Sequence, residues 1–238
     1  MQFDFPDVDG HPYQSSGGKL VWSDELKRKI PEGWKIATLG KLIRLNRGVS
    51  YSSKNLAERG TAMINLASFA PDGSYKENGI KWFSGNYPIA KVIKPYDLLI
   101  CNTQQTALNP MTDIIGKPLL VPDIFSGPII SSHHVTTISL ESEDLKYYLY
   151  SIFRTSWFAS YITGYASGTS ILGLDDSGLK NLAIPIPDQY LLHRYAKLVA
   201  SIETRISEMI RENTHLATLR DWLLPLFVTG QATIIDTL

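Results

Sequence analysis

The amino-acid sequence predicts an α+β fold, in which a mixed, largely antiparallel-sheet body precedes one long coiled-coil-type α-helix. Short apolar segments with strand-type alternation, separated by loops rich in Gly, Pro, Asn and Ser, recur between residues 34 and 187. After Pro187 no proline occurs until Pro225, and apolar residues there recur at three- and four-residue steps. The periodicity therefore changes from strand to helix at Pro187.

The composition is that of a globular protein. The 238 residues are 44% hydrophobic and 11% aromatic, which is enough to bury a core and argues against disorder. No apolar run reaches the ~18 residues that span a bilayer, and the N-terminus lacks the basic start and apolar stretch of a signal peptide. The single cysteine, Cys101, has no partner for an internal disulfide. We therefore expect a cytoplasmic protein without a membrane segment.

Residues 1–33 are predicted to form a connector-like N-terminal segment. They contain Asp9-Gly10 and Ser15-Ser16-Gly17-Gly18, which are turn and linker sequences. A short amphipathic stretch, Asp24–Ile30, follows them and leads to Pro31. We expect no domain core in this segment.

Residues 34–187 are predicted to form the body. Ala62–Phe69 and Ile89–Cys101 carry strand-type apolar patterns, and His134–Leu140 alternates β-branched residues in the manner of a strand. Between Asp144 and Thr163 the apolar residues recur at helical spacing, which predicts one amphipathic helix. Strands and a helix mixed in this way indicate an α+β domain.

Residues 188–224 are predicted to form the long helix, followed by a tail of residues 225–238. Asp188 is a suitable N-cap. Thirty-seven helical residues span roughly 55 Å at ~1.5 Å each, whereas a ~100-residue globule is only about 26 Å across. The helix must therefore pack on something besides its own body.

The helix sequence contains a heptad pattern that predicts a partner helix. Five consecutive pairs of a and d positions can be assigned, with Arg220 at the last a position and the polar Asn213 at an a position, where it would fix register. A core helix of a globular domain is the alternative interpretation. The predicted dimer and partner residues are Leu192, Tyr195, Val199, Ile202, Ile206, Met209, Asn213, Leu216 and Leu223.

Basic residues concentrate in one part of the chain, although the net charge is zero. Lys35–Lys94 contains ten Lys/Arg against three Asp/Glu, a local net charge of +7. Residues 95–186 contain four against eight, a local net charge of −4. A basic region inside a neutral chain is typical of a phosphate-facing surface, although a solvated charged face has the same composition.

Three polar regions carry the side chains that DNA contacts require. Cations bind phosphates, while Ser, Thr, Asn, Gln and Tyr contact phosphates or base edges. The first region lies in the basic part of the chain, the second follows the strand that ends at Cys101, and the third is a glycine-containing loop. The predicted DNA-contacting residues are Arg44, Arg47, Ser52, Lys54, Asn55, Arg59, Thr103, Gln104, Gln105, Tyr165, Thr169 and Ser170.

Catalytic motifs have weak support. A Mg²⁺-dependent nuclease of the Pro-Asp…Asp/Glu-x-Lys type uses two carboxylates and a lysine, and Asp123, Asp144 and Lys146 match that order. Such a short match also arises by chance. No Walker loop is present, and Asn109-Pro110 shares only two residues with the target-amine loop of DNA methyltransferases. We predict no catalytic residue.

The sequence also contains no recognisable metal-binding pattern. His133 and His134 are adjacent, and neighbouring strand residues point to opposite faces. No second cysteine or suitably spaced histidine completes a zinc site, so a structural or DNA-facing role is favoured for the pair. Cys101 follows an apolar run and is predicted to be a buried small hydrophobe. We predict no metal and no cofactor bound by this chain.

An ordered set of short motifs extends over nearly the whole chain. The set comprises Pro31-Glu32-Gly33-Trp34-Lys35, Leu39-Gly40, Gly168-Thr169-Ser170, Leu179-Lys180-Asn181, Ile184-Pro185-Ile186-Pro187, Leu219-Arg220-Asp221-Trp222-Leu223-Leu224-Pro225 and Gly230-Gln231. This set resembles the specificity (S) subunits of type I restriction–modification systems. The resemblance implies a target-recognition domain at 34–187 that reads one half of a split DNA site, and a spacer helix at 188–224 that docks methyltransferase subunits.

The chain departs from the family pattern in length. A complete S subunit has two recognition domains and two long helices packed antiparallel, whereas one of each is found here. The resemblance therefore implies a half subunit that pairs as a homodimer through the helix and reads double-stranded DNA. It also implies no catalysis by this chain, with S-adenosylmethionine on the methyltransferase (M) subunits and ATP and Mg²⁺ on the restriction (R) subunits. A stand-alone nuclease and a coiled-coil adaptor without DNA binding stay open as alternatives.

Overall fold

The computed structural model describes residues 3–7, 9–105 and 113–231. Within those ranges the strands are β1 (Leu20–Ser23), β2 (Arg28–Pro31), β3 (Lys35–Thr38), β4 (Ile43–Arg47), β5 (Leu56–Ala57), β6 (Thr61–Ile64), β7 (Lys81–Phe83), β8 (Val92–Ile93), β9 (Leu98–Cys101), β10 (Thr103–Gln105), β11 (Pro118–Leu120), β12 (Ile129–Ser131), β13 (Val135–Leu140), β14 (Ala166–Ser167), β15 (Ile171–Leu174) and β16 (Ala183–Ile186). The α-helices there are α1 (Glu143–Phe153), α2 (Ser156–Thr163), α3 (Asp176–Lys180) and α4 (Gln189–Val228). The expected order, a strand-rich body followed by one long helix, is confirmed.

Two sheets form the centre of the body. The first has the strand order β11-β9-β13-β4 and is antiparallel throughout. The second has the order β5-β7-β6-β12-β8 and contains one parallel pair, β6 with β12. Smaller pairings join β10, β15 and β14, then β3 with β16, and β1 with β2. The predicted mixed and antiparallel-sheet body is therefore confirmed.

Strand β9 separates the two largest hydrophobic cores. Leu98 and Ile100 pack in a cluster that includes side chains of α1, α2 and α3, whereas Leu99 and Cys101 pack against side chains of the second sheet. Successive strand residues point to opposite faces, so a continuous apolar run is the sequence of a strand that is covered on both sides. Cys101 is buried, as the sequence predicts.

The predicted helix between Asp144 and Thr163 is two helices, α1 and α2. The break lies at Arg154 and Thr155, where the Thr155 Oγ1 accepts a hydrogen bond of 3.2 Å from the Phe158 N–H and so caps α2. The ring of Phe158 then stacks on that of Phe153, with 4.3 Å between centroids. A capping threonine competes with helix continuation, and periodicity alone does not reveal it.

The long helix α4 begins and ends at identifiable signals. Asp188 Oδ1 accepts a hydrogen bond of 3.0 Å from the Leu191 N–H, as expected of an N-cap. The predicted end at residue 224 is four residues short, because α4 runs through Pro225 to Val228. The chain leaves the helix near Gly230, whose φ of +71° is the left-handed conformation typical of helix C-termini. Glycine, not proline, therefore ends this helix.

The first half of α4 packs on the body through one face. Leu192, Ala196 and Val199 are buried, and α1 is the main helix packed against them. Farther along, Ser207 Oγ accepts a hydrogen bond of 3.1 Å from the Asp123 N–H, and Thr214 Oγ1 bonds the Glu77 carboxylate. Beyond Thr214 the described residues of α4 make no hydrogen bond or ion pair with the body. The last part of the helix is thus free for a partner.

The N-terminal segment is a hairpin and an aromatic cluster. The predicted amphipathic stretch Asp24–Ile30 overlaps β2, and Lys27 adopts φ +49° at the turn between β1 and β2. Phe3 is buried, and its ring packs edge-on against Trp34 with 5.4 Å between centroids. Among the described helices, none combines the length and apolarity that crossing a bilayer requires.

Candidate nucleic-acid interface

Two of the three polar regions meet at one turn, residues 132–134, between β12 and β13, and the third adjoins it through the β10-β15-β14 sheet. The Val49 N–H donates to the Ser131 carbonyl (2.7 Å), and the His133 N–H donates to the Val49 carbonyl (2.9 Å). The Asn102 N–H donates to the His134 carbonyl at 3.0 Å. Backbone pairing thus gathers segments that are far apart in sequence.

Asn102 lies beneath this meeting point. Its side chain is buried, and Nδ2 donates to Thr136 Oγ1 at 2.7 Å and to the His133 carbonyl at 3.3 Å. Its own carbonyl accepts from the Leu174 N–H at 2.8 Å, which fixes β15 beside β10. One buried amide therefore ties the turn to the β10-β15-β14 sheet.

Strand β10 separates its polar side chains between the surface and the interior. Gln105 is exposed and Thr103 half-buried, whereas Gln104 is only 4% exposed. Gln104 Oε1 accepts the N–H groups of Ile114 (2.7 Å) and Ile115 (2.8 Å), and its Nε2 donates to Asp113 Oδ1 (2.8 Å). The Gln104 amide is therefore occupied by residues 113–115, and a DNA contact by Gln104 stays a prediction that this hydrogen bonding does not favour.

The third polar region forms the turn between β14 and β15. Thr169 and Ser170 are exposed there, and Gly168 has φ +141°, a conformation that favours glycine. Tyr165 is half-buried and lies beside Tyr161, whose hydroxyl is 3.4 Å from its own. β15 pairs with β10, and Ile171 lies opposite Gln105, so this turn adjoins Gln105, whereas Thr103 lies opposite Gly173 at the other end of the pairing.

The predicted cations do not share one surface. Arg44 and Arg47 are three residues apart on β4, so their side chains leave the strand on opposite faces. Arg47 Nη2 forms an ion pair of 3.2 Å with Asp176 Oδ1 at the start of α3, next to β15. The Arg47 side chain is thus directed to α3, whereas Arg44 lies on the other face of the strand.

The remaining basic-region residues lie near the outer strand of the second sheet. Asn55 Oδ1 accepts hydrogen bonds from the Ser52 N–H (3.0 Å) and Ser52 Oγ (3.1 Å), which closes a capped turn around Lys54. Arg59 is exposed in the loop between β5 and β6. Their DNA contacts remain predictions.

Two histidines, a tyrosine and a lysine form a cluster that the set of predicted contacts omits. The ring centroids of His133 and His134 are 3.7 Å apart, and the Tyr51 ring lies 5.9 Å from that of His133. Lys81 Nζ donates to the Tyr51 hydroxyl at 3.1 Å. The expectation that the two histidines face opposite ways is wrong, because they occupy a turn and not a strand. No local pattern identifies Lys81, which reaches the cluster from β7.

The surroundings of His134 disfavour its charged form. Its Nδ1 is 2.7 Å from Thr103 Oγ1. Burial lowers the pKa of His134 below its ordinary value, and the neighbouring His133 and Lys81 lower it further. At neutral pH the imidazole is therefore uncharged.

The residues proposed for a nuclease site do not meet. Asp123 Oδ2 is 3.3 Å from Arg211 Nη2, near the middle of α4, whereas Asp144 Oδ2 is 3.1 Å from His193 Nδ1 in its first turns. Eighteen residues of helix between those partners correspond to roughly 27 Å. Lys146 is buried and pairs with Glu143. The three groups are too far apart to hold one metal ion, so this alternative is not supported.

The predicted heptad residues fall on two faces of α4. Leu192 and Val199 are buried against the body, so they are not available to a partner helix, contrary to the prediction. A straight helix drifts by ~20° per heptad, so the a row that starts against α1 turns outward by Ile206. The outward residues are Ile202, Ile206, Met209, Asn213 and Leu216, with Tyr195 and Leu223 half-buried.

An apolar cavity of about 760 Å³ lies where the outward face of α4 meets the N-terminal segment. Leu191, Tyr195 and Leu198 line it from the helix, and Phe5 and Trp34 line it from the other side. At 100° per residue these helix positions continue the row of Ile202, Met209 and Leu216. The outward apolar face of α4 thus begins inside the cavity.

Known proteins resemble this chain in both sequence and fold. The chain is 23% identical over 226 residues to the type I restriction enzyme MjaIX specificity subunit of Methanocaldococcus jannaschii, covering 94% of this chain and 50% of that protein. The solved type I restriction–modification S subunit of M. genitalium superposes with a TM-score of 0.55 at 16% identity, over 82% of this chain and 46% of that one. This protein has the fold of half a specificity subunit.

A second solved structure has the same fold over a similar part of its chain. It comes from a study of complex assembly and conformational transition of the type I R-M system, with a TM-score of 0.51 and 16% identity over 82% of this chain and 45% of that one. No family model matches the chain. The chain spans about half the length of the curated relative it matches.

Proposed function

We propose that this protein is the DNA sequence-recognition subunit of a type I restriction–modification complex and reads one half of a bipartite site. The observation that carries the proposal is the assembly of separate polar segments around the turn at 132–134. Thr103 contacts His134 of that turn, and the exposed Gln105 lies farther along β10, beside the exposed Thr169 and Ser170. Arg47 adds a cation that Asp176 holds near α3. Such a combination suits phosphate positioning together with base-edge contacts.

In this proposal residues 34–187 are the recognition domain and α4 is the spacer and docking helix. The chain itself performs no catalysis. Methyltransferase subunits would bring S-adenosylmethionine, and restriction subunits would bring ATP and Mg²⁺. The sequence similarity to a specificity subunit supports these assignments, and the free end of α4 offers the surface that assembly needs.

A second copy is the proposed occupant of the outward face of α4. Large apolar side chains there are between 39% and 60% exposed: Leu198, Ile202, Ile206, Met209, Leu216, Leu219, Leu224 and Phe227. Together they offer several hundred Å², of the order of the roughly 800 Å² that each partner buries in a standard interface. A homodimer with twofold symmetry would read an inverted, interrupted palindrome.

Antiparallel pairing of the two helices would cover both ends of the outward face of α4. The outward face begins in the cavity at Leu191 and ends near Phe227, which is 39% exposed. If the helices run in opposite directions, the end of one brings Leu224 and Phe227 to the cavity of the other. Both apolar ends are then covered by one symmetric contact.

The direct test is the DNA site that the complex modifies. The protein is co-expressed with its methyltransferase subunit, and adenine methylation is mapped across the host genome. We expect methylation at a bipartite site with inverted, matching halves. Absence of methylation that depends on this chain, with the complex intact by gel filtration, would contradict the proposal.

A salt titration separates the proposal from an adaptor that does not bind DNA. The purified chain is titrated with double-stranded DNA of mixed sequence at rising salt concentration. Each phosphate contact contributes about −0.9 to the slope of log affinity against log salt. We expect a slope of several units, whereas an adaptor would show no salt-dependent binding.

A further inference from the structure

The cluster of Tyr51, Lys81, His133 and His134 lies at the centre of the candidate interface but belongs to no predicted contact. The centroids of the two imidazoles are 3.7 Å apart with the ring planes tilted by 41°, and Lys81 Nζ donates to the Tyr51 hydroxyl at 3.1 Å. His134 is also joined to the interface strand β10 through Thr103. Two imidazoles and one ammonium group therefore lie beside Thr103, which is a predicted DNA contact.

Several polar atoms around the turn at 132–134 have no hydrogen-bond partner within the described ranges. They are His133 Nδ1, Ser132 Oγ and Asn102 Oδ1. Ser132 is 0% and Asn102 2% exposed. Buried polar groups are nearly always satisfied. The imidazole nitrogen and the hydroxyl can donate hydrogen bonds, whereas the amide oxygen only accepts. The two possible donors therefore indicate a place where an acceptor such as a phosphate completes the bonding.

We propose that His133 and His134, with Lys81 and Tyr51, bind a backbone phosphate of DNA and take up a proton from solvent as they do so. The inference rests on the proposed DNA-binding function. An imidazolium, an ammonium and a phenol together supply charge-assisted donors to one phosphodiester. Without DNA, His133 and Lys81 both disfavour a proton on His134.

The charged groups near the pair explain the direction of the coupling. Lys81 approaches from β7 and disfavours an imidazolium, and Tyr51 contributes an uncharged hydroxyl. Arg47 at the end of β4 is already paired with Asp176. A bound phosphate reverses the local sign of charge and so raises the pKa of His134 in the complex. A pKa that is higher in the complex than in the free protein makes binding stronger as pH falls.

The experiment measures affinity for fluorescein-labelled double-stranded DNA of mixed sequence at constant ionic strength, between about pH 8 and about pH 6. We expect the wild-type chain to bind roughly three- to tenfold more tightly at the lower pH. The double variant His133→Gln, His134→Asn keeps hydrogen-bonding groups but removes titration, so it is expected to lose this pH dependence. His215→Gln, an exposed position on α4, serves as the matched control and keeps it.

The outcomes distinguish this inference from the proposed function. Equal pH dependence in the wild type and the double variant, with salt-dependent binding in both, would overturn the histidine assignment alone. Failure of the wild type to bind DNA at either pH would overturn both proposals. Thermal unfolding of the double variant is measured in parallel, and a folded variant that binds DNA without pH dependence supports the assignment.

Discussion

The hydroxyl of Tyr195 on α4 donates a hydrogen bond of 2.6 Å to Oγ of Ser151 on α1. The bond lies beside the buried Leu192 and Ala196 and joins the long helix to the body. Burial raises the pKa of Tyr148, whose ring packs edge-on against Tyr195 with 6.3 Å between centroids. The helix therefore starts from a fixed orientation relative to the body.

Removing this hydroxyl tests how much the junction contributes to stability. Tyr195→Phe keeps the ring but leaves Ser151 without its donor, and we expect the free energy of unfolding to fall by about 1 kcal/mol. Tyr190→Phe is the matched control, because Tyr190 is 69% exposed. Urea denaturation compares the two. Equal midpoints would show that the hydrogen bond contributes nothing to the junction.

Gln104 and Gln105 are neighbours on β10, and we expect the first to contribute to stability and the second to DNA affinity. Gln104→Ala leaves the buried N–H groups of Ile114 and Ile115 without an acceptor, so stability should fall by about 1–3 kcal/mol. Gln105→Ala removes an exposed amide, so DNA affinity should fall while stability changes little. Thermal unfolding and DNA titration are run on both variants. A large loss of stability in Gln105→Ala, with stability unchanged in Gln104→Ala, would contradict the burial described for β10.

Close backbone packing supports the turn at 132–134. A methyl group at Gly48 would lie 2.1 Å from the Ser131 carbonyl oxygen and 2.3 Å from that of Ser132. Gly48→Ala must therefore displace the turn, and we expect lower stability, by about 1–3 kcal/mol, and weaker DNA binding. Gly127→Ala is the control, since nothing lies within 4 Å of its added methyl. DNA binding unchanged in a folded Gly48→Ala protein would argue against the turn as part of the interface.

The outward face of α4 predicts concentration-dependent pairing. Sedimentation at micromolar concentration should detect a species of about twice the 26.6 kDa chain mass. Met209→Glu places a charge on the face and is expected to shift the protein to monomer, whereas Thr204→Glu, on the opposite side, leaves pairing intact. A monomer for both the intact chain and an Asn213→Leu variant would count against pairing through this face.

The Cys101 thiol reports on the integrity of the core that faces the second sheet. Burial raises its pKa to about 12, so the thiol stays protonated and unreactive in the folded protein. The unfolded thiol ionises near its ordinary pKa. The contribution to stability is therefore present below about pH 9 and declines as pH rises above it. A thiol reagent should label the protein only as fast as it unfolds, and rapid labelling at neutral pH would contradict this packing.

Local elements can be predicted from the sequence, whereas pairing between distant segments cannot. Strand β13 follows from its β-branched alternation, and α4 follows from its spacing and its Asp188 cap. The assembly at 132–134 depends on contacts between Val49 and Ser131 and between Asn102 and His134, which local patterns do not contain. Alternation does, however, place Gln104 on the opposite face from Thr103 and Gln105, a signal available in the sequence.

The heptad assignment illustrates a different limit. Apolar residues at three- and four-residue steps satisfy both a body-facing stripe and a partner-facing stripe, so Leu192 and Ile206 look equivalent in the sequence. Only the position of α1 distinguishes them. Likewise, Pro225 resembles a stop signal, although the left-handed conformation at Gly230 ends the helix.

The double-sided burial of β9 has a consequence for how such a protein can evolve. Its tightly packed run ends at Cys101, and the exposed positions Gln105, Thr169 and Ser170 lie outside both clusters. Mutations at those positions therefore leave the scaffold's folding free energy nearly untouched. Under the proposed function, new sequence preferences can accumulate there one residue at a time, without a compensating change in the interior.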